Sequence, residues 1–388
     1  MRRAAAIILL CLCLALSGCS SGSIYSNYKE IDQLLVIQTV GIDAEPDGRI
    51  RLSISAGRLG GEPPVCLSAA ADTISQARDV LQNFAPNEVL FYAHTNFVVI
   101  GEAAAKLGIG KYLDYIGRSP ELRIDTPVFI VEGGRASELV LGASNENHGV
   151  TEVLESVKRD VETGDGGNVY SAADIALALE DTGAALAASL RCESVKNADP
   201  HAESGEITAR SGGCAVLKDG ALAGYITADE TRGVNLLAGS TGIGTVDLSA
   251  GKYLISAALD GAKTRIRPDW GADGSLRKVG VDVRLTASLT ELGSLFSIDR
   301  ASLEALDSAL SDKAEAWITS ALGESKTFSA DFAGIGGAVR RSAPRRFEKI
   351  PGGFASALPG LEFDVKVSAS VSRTFDLEDP ARENGGGA

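Results

Sequence analysis

The sequence predicts an α/β (α+β) protein, with mixed or antiparallel sheets flanked by helices, behind an N-terminal lipoprotein signal. Three observations predict it. Short β-rich runs alternate with segments of helical period. Glycine-rich breaks at 164–168 and 239–244 divide the chain. The first nineteen residues run from cations through an apolar stretch to small residues and a cysteine.

That opening is read by position. Arg2 and Arg3 precede thirteen apolar residues, 4–16, long enough for a signal core but short of the ~20 residues of a membrane span. Ser17 and Gly18 allow cleavage before Cys19, whose thiol is the expected site of diacylglycerol attachment. Residues 1–18 are therefore signal peptide. The lipidated Cys19 and a flexible spacer, 19–27, follow. Acyl chains that each bury many CH2 groups make a durable anchor.

The remaining chain, from Cys19 to Ala388, is long enough for two or three domains. Its formal charge of −14 becomes −16 once Arg2 and Arg3 leave. Such a balance disfavours nucleic acid and leaves membrane attachment to the anchor. Cys66, Cys192 and Cys214 remain, an odd number, and buried free thiols are the simplest expectation. Cys192 and Cys214 could pair only if their segments become adjacent strands.

Element by element, residues 34–43 and 49–58 form a hairpin turned at Pro46-Asp47-Gly48. A helix capped by Thr73 or Ser75 buries Ile74, Ala77, Val80 and Leu81. Strands are expected at 97–100 and 127–131, with helices at 111–117, 135–141 and 150–161. Ser171 caps a helix ending near Asp181, and 184–195 reads as strand or helix. Residues 214–217 and 222–226 form a second hairpin, followed by a helix over 229–237. Strands at 253–259, 263–267 and 279–289 precede the strongest helix, from an Asp299 cap to Leu322, with Gly323 as its stop. A strand over 362–375 places Phe363, Val365 and Val367 on one face, and residues 378–388 form a disordered tail.

Catalytic patterns are missing. His94, His148 and His201 lack metal-ligand spacing, and there is no serine elbow, zinc helix or phosphate loop. Ser26 to Lys29 and Ser275 to Lys278 fit Ser-x-x-Lys at the rate chance supplies. Gly334-Ile335-Gly336-Gly337 lacks dinucleotide spacing. Asp160, Glu162 and Asp165 read as a solvated acidic loop. Arg340-Arg341 with Arg345-Arg346 is a basic patch in an acidic chain. No catalytic residue, metal or cofactor is expected.

Several short motifs in order then carry a resemblance. They are Tyr28 to Asp32 with Val40-Gly41-Ile42-Asp43, Phe91-Tyr92-Ala93-His94 with Val98-Val99-Ile100-Gly101-Glu102, and Arg118-Ser119-Pro120-Glu121-Leu122-Arg123. Later come the hairpin with Asp229-Glu230-Thr231-Arg232-Gly233, then Asp331-Phe332-Ala333-Gly334-Ile335-Gly336, and Ser372-Arg373-Thr374. Across nearly all of the mature chain the sequence resembles the Ger(x)C family, the lipoprotein C subunits of nutrient germinant receptors in bacterial endospores. It departs from that family in lacking Trp-Asp after the lipidated cysteine and in having Arg346-Phe347 where tryptophan is usual.

The resemblance implies three α/β domains, placed at 28–165, 166–247 and 248–377. It implies a non-enzymatic subunit, lipid-anchored on the outer face of the spore inner membrane. Its implied partners are integral-membrane A- and B-type receptor subunits, in service of nutrient-triggered germination. Arg118, Glu121, Arg123, Glu230, Arg232, Asp331, Gly334 and Gly336 are the candidate structural or contact positions. The alternative is a lipid-anchored extracytoplasmic solute-binding protein, which needs a cleft with converging aromatic and charged groups.

Overall fold

The computed structural model describes residues 33–57, 64–143, 149–163, 168–194, 207–239, 244–250, 253–291 and 300–372. Cys19, the signal, the spacer, Tyr28 to Asp32, the Asp299 cap and the tail lie outside them. In chain order the first part holds β1 (Leu34–Ala44), β2 (Ile50–Gly57), β3 (Val65–Ala71), α1 (Ile74–Phe84), β4 (Val89–Phe91) and β5 (Phe97–Ile100). It continues with α2 (Glu102–Lys106), α3 (Gly110–Arg118), β6 (Val128–Val131), α4 (Ala136–Gly142) and α5 (Val150–Thr163). Next come α6 (Ala172–Thr182), β7 (Ala184–Ser194), β8 (Ile207–Lys218), β9 (Ala221–Ile226) and α7 (Ala228–Ala238). The last part holds β10 (Thr245–Ala250), β11 (Tyr253–Trp270), β12 (Leu276–Glu291) and α8 (Arg300–Phe328). After these stand α9 (Ile335–Ser342), α10 (Pro344–Phe347), α11 (Gly353–Ala357) and β13 (Glu362–Ser372).

The mixed α/β class expected from the sequence is what the chain adopts. The described strands form two sheets. The larger runs β3-β2-β1-β5-β6-β7-β8-β9, with β4 beside the start of β1, and the smaller runs β10-β11-β12-β13. Strands β1, β4, β5, β6 and β7 run parallel, hairpins add antiparallel strands at both ends of the larger sheet, and in the smaller sheet β13 lies parallel to β12. All four residues of β5 and of β6 are buried, as parallel strands covered on both faces require. Val98, Ile100, Val128 and Ile130 face a core with Leu81 of α1 and Tyr112 and Ile116 of α3. Phe97, Val99, Phe129 and Val131 face the opposite core, with Leu139 of α4 and Leu154 of α5.

The sheet count departs from one sheet per predicted range. Segment 184–195, which the sequence left open between helix and strand, forms β7. Its first seven residues are buried, and it bonds β6 on one edge and β8 on the other. The strands of 28–165 and 166–247 therefore pair across β6 and β7 as one sheet.

Two boundaries are corrected. Residues 253–259 and 263–267 belong to one strand, because the register shift between Leu259 and Gly261 is absorbed as a bulge opposite the unbroken β12. Helix α8 passes Gly323, where a side chain would meet open space, and buries Leu322 and Ser325 before the chain turns at Ser329, whose φ is 49°. Its buried row from Leu306 through Trp317 covers one face of the smaller sheet. The other face of β12 is polar, giving the alternation of a half-solvated sheet.

Among the described residues no helix is long and apolar enough to cross a membrane. Among the described residues no disulfide joins Cys66, Cys192 or Cys214. Although β7 and β8 are neighbours, Cys214 faces Ala188 and Cys192 faces Ala209, so the register keeps the thiols apart.

Candidate functional site

The singled-out residues gather in three places. The first is the start of α9. Gly334 takes the left-handed conformation, with φ 70°, that lets the chain turn into this helix. The Asp331 carboxylate accepts from Ile335 N at 2.9 Å and Gly336 N at 2.7 Å, supplying two partners the helix end cannot find within itself. Asp331 is only 4% exposed, and burial pushes its carboxyl up to about 7 against the opposing pull of those N–H groups. It lies between two hollows, one of about 540 Å³ beside Asp181 and Phe332 and one of about 270 Å³ beside Arg340 and Phe354.

The second place is the seam between the sheets. Thr227 and Glu230 form a reciprocal capping box at the start of α7. Glu230 also accepts from Ser320 Oγ on α8 at 2.9 Å. The Arg232 guanidinium stands 5.2 Å from the Trp317 ring centroid. Gly233 lets the two helices touch, because any Cβ there would overlap the Trp317 carbonyl. Beyond the helices, Lys218 Nζ donates to Phe328 O at 2.9 Å and Arg340 pairs with Asp181 at 2.7 Å, each linking the larger sheet's layer to the smaller's.

The third place is a cleft of about 570 Å³ between α1 and α3, lined in part by Asp72, Lys111, Asp114, Tyr115 and Arg118. Arg118 bonds Asp114 one turn back, and Arg123 bonds Asp125. Both pairs are exposed, so they contribute little to stability. Glu121 does more: it pairs with Arg78, whose guanidinium also donates to Tyr115 Oη at 2.9 Å and stacks 4.3 Å from the Tyr92 ring centroid. Burial pushes the Tyr92 phenol up to about 12.

Two positions carry more than the sequence indicated. Asp43, 2% exposed at the end of β1, accepts from Ala136 N and Ser137 N at 2.8 Å each and so caps α4. Gly101 is required opposite it, since a Cβ would overlap Asp43 Oδ1. The sole signal was that Val-Gly-Ile-Asp and Ile-Gly-Glu both end a strand with a glycine and an acid. Arg78 gave no signal, because Tyr92, Tyr115 and Glu121 reach it only through folding. His94 is exposed, its ring tilted beside that of Phe91 with centroids 5.5 Å apart. Among the described residues no cluster of three or more His, Cys, Asp or Glu side chains could hold a metal ion.

Fold and sites together define a two-sheet α/β scaffold whose motif residues cap helices and fasten seams. Residues 27–177 match the model described as "Spore germination protein N-terminal domain", and residues 212–375 match "Spore germination B3/ GerAC like, C-terminal". The chain belongs to this spore-germination family, Ger(x)C. It is 24% identical over 408 residues to spore germination protein KC of Bacillus subtilis (strain 168), with 97% of each chain covered. The crystal structure of the GerBC protein has a similar fold, with a TM-score of 0.54 at 16% identity, covering 88% of this chain and 99% of that one.

Proposed function

We propose that the protein is a lipid-anchored, non-enzymatic subunit of a nutrient germinant receptor, held by Cys19 on the outer face of the spore inner membrane. Its partners are integral-membrane A- and B-type subunits. The observation that carries this reading is the ordered match of both family models, joined by a relative aligned along 97% of the chain. The motif chemistry agrees: Asp43, Glu230 and Asp331, at the family's signature positions, are spent on caps and seams, as suits a subunit that presents surfaces. Anchoring would confine those surfaces to a plane and raise their effective concentration toward membrane partners, so modest interfaces suffice.

The test is gentle extraction of tagged protein from dormant-spore inner membrane, followed by identification of what co-purifies. Recovery with a multi-span subunit supports the reading. In parallel, Cys19→Ala should abolish nutrient-triggered germination while a receptor-independent agent still works. An unchanged nutrient response after deletion of the gene and its paralogues would falsify it.

The α1–α3 cleft favours one second reading, a solute-binding role, since charged and aromatic groups converge there. A thermal shift with amino acids or sugars, abolished by Arg78→Ala, is its expected sign.

A further inference from the structure

The helices α9 and α10 carry a charge cluster that no motif above uses. Between residues 341 and 349 lie Arg341, Arg345, Arg346 and Lys349 against a single carboxylate, Glu348, in a chain of formal charge −14. All four cations are exposed. None of them forms an ion pair within the described residues, whereas the adjacent Arg340 is bound to Asp181. Gathering like charges costs energy that a nearby acid would relieve, and an acidic chain has acids to spare.

The cluster is also fixed in place. The Asp331 cap holds the start of α9, and Phe347 stacks on Phe354 with centroids 6.0 Å apart. Trp270, at the tip of the β11–β12 hairpin, lies half-buried with the Arg346 guanidinium 5.8 Å from its ring centroid. A cluster of exposed cations, one of them beside an indole, suits a boundary where phosphates meet hydrocarbon: the cations take the phosphates and the indole settles at headgroup depth.

We propose that this basic, Trp270-bearing end docks on a bilayer containing anionic phospholipid, orienting the protein against the membrane. The proposal rests on the lipid-anchored reading above, because the anchor brings the patch within reach and the patch supplies a second attachment. The ligand chemistry is the headgroup phosphate of the bilayer.

Tryptophan fluorescence tests it. The full lipidated chain is reconstituted into vesicles of phosphatidylcholine alone or mixed with phosphatidylglycerol, both with brominated acyl chains. The chain has two tryptophans, and Trp317 is only 4% exposed, so quenching reports Trp270. The expected result is quenching only with phosphatidylglycerol, reversed by salt. Arg341→Glu with Arg345→Glu should lose it, and Arg341→Lys with Arg345→Lys should keep it. A chain that floats with both vesicles and is quenched in neither overturns docking alone and leaves the anchor standing. A chain that floats with neither overturns the anchor and the docking together.

Discussion

Gly336 donates its N–H to Asp331 Oδ2 at 2.7 Å, and a Cβ on that glycine would lie 2.6 Å from the same oxygen. The close approach that makes the cap also forbids a side chain. The second obstacle is the Phe354 ring, 2.7 Å from the same point, so neither neighbour can yield freely. Gly336→Ala is expected to cost about 1–3 kcal/mol, measured by urea unfolding.

Asp331 sets a pH dependence of unusual sign for a carboxylate. Its folded value, about 7, lies above the unfolded ~3.9, so between those limits the folded state holds a proton that the unfolded state lacks. Stability from this group is complete below about pH 4 and is lost as pH rises through 7. The window amounts to roughly 4 kcal/mol at its limit. Urea unfolding at pH 5 and pH 8 should show the decline, and Asp331→Asn should flatten it.

Gly233 sets how closely α7 meets α8. Replacing it with Val drives a side chain into the Trp317 backbone, so the helices must separate and their shared core must open. The expected loss exceeds about 3 kcal/mol. Thermal unfolding that stays within a degree or two of the parent would disprove this account of the seam.

Removing the Asp43 carboxylate leaves the N–H groups of Ala136 and Ser137 buried without acceptors. Asp43→Ala is therefore expected to cost about 2–4 kcal/mol in chemical denaturation. Gly101 should tolerate Ala better in that background than in the parent, a coupling that a double-mutant cycle reads directly.

Burial pushes the thiols of Cys192 and Cys214 up to about 11, and Cys214 is 1% exposed. At pH 8 both stay protonated, which suppresses the thiolate that reacts. Maleimide labelling of the folded chain should spare Cys214 until denaturant is added. Rapid labelling of Cys214 under native conditions would contradict the packing of β8.

Much of this molecule could be read from local chemistry. The Ser171 cap, the choice of Thr73 over Ser75 as the cap of α1, and the hairpin of 214–217 with 222–226 depend on neighbours within a few residues, and each forms where the sequence allowed it. The family motifs were likewise visible as short strings. Tertiary structure alone decided the rest, because partners far apart in sequence compete with local preference. Whether 184–194 became strand or helix was settled by free edges on β6 and β8. Gly323 failed to stop α8 because burying Leu322 and Ser325 outweighed a glycine's cost in mid-helix. The roles of the motif residues were hidden for the same reason. Asp43 reaches Ala136 across 93 residues, Glu230 reaches Ser320 across 90 and Arg78 reaches Glu121 across 43. Spacing within a motif reports which backbone it can adopt, and only the packed chain determines which distant group its side chains meet.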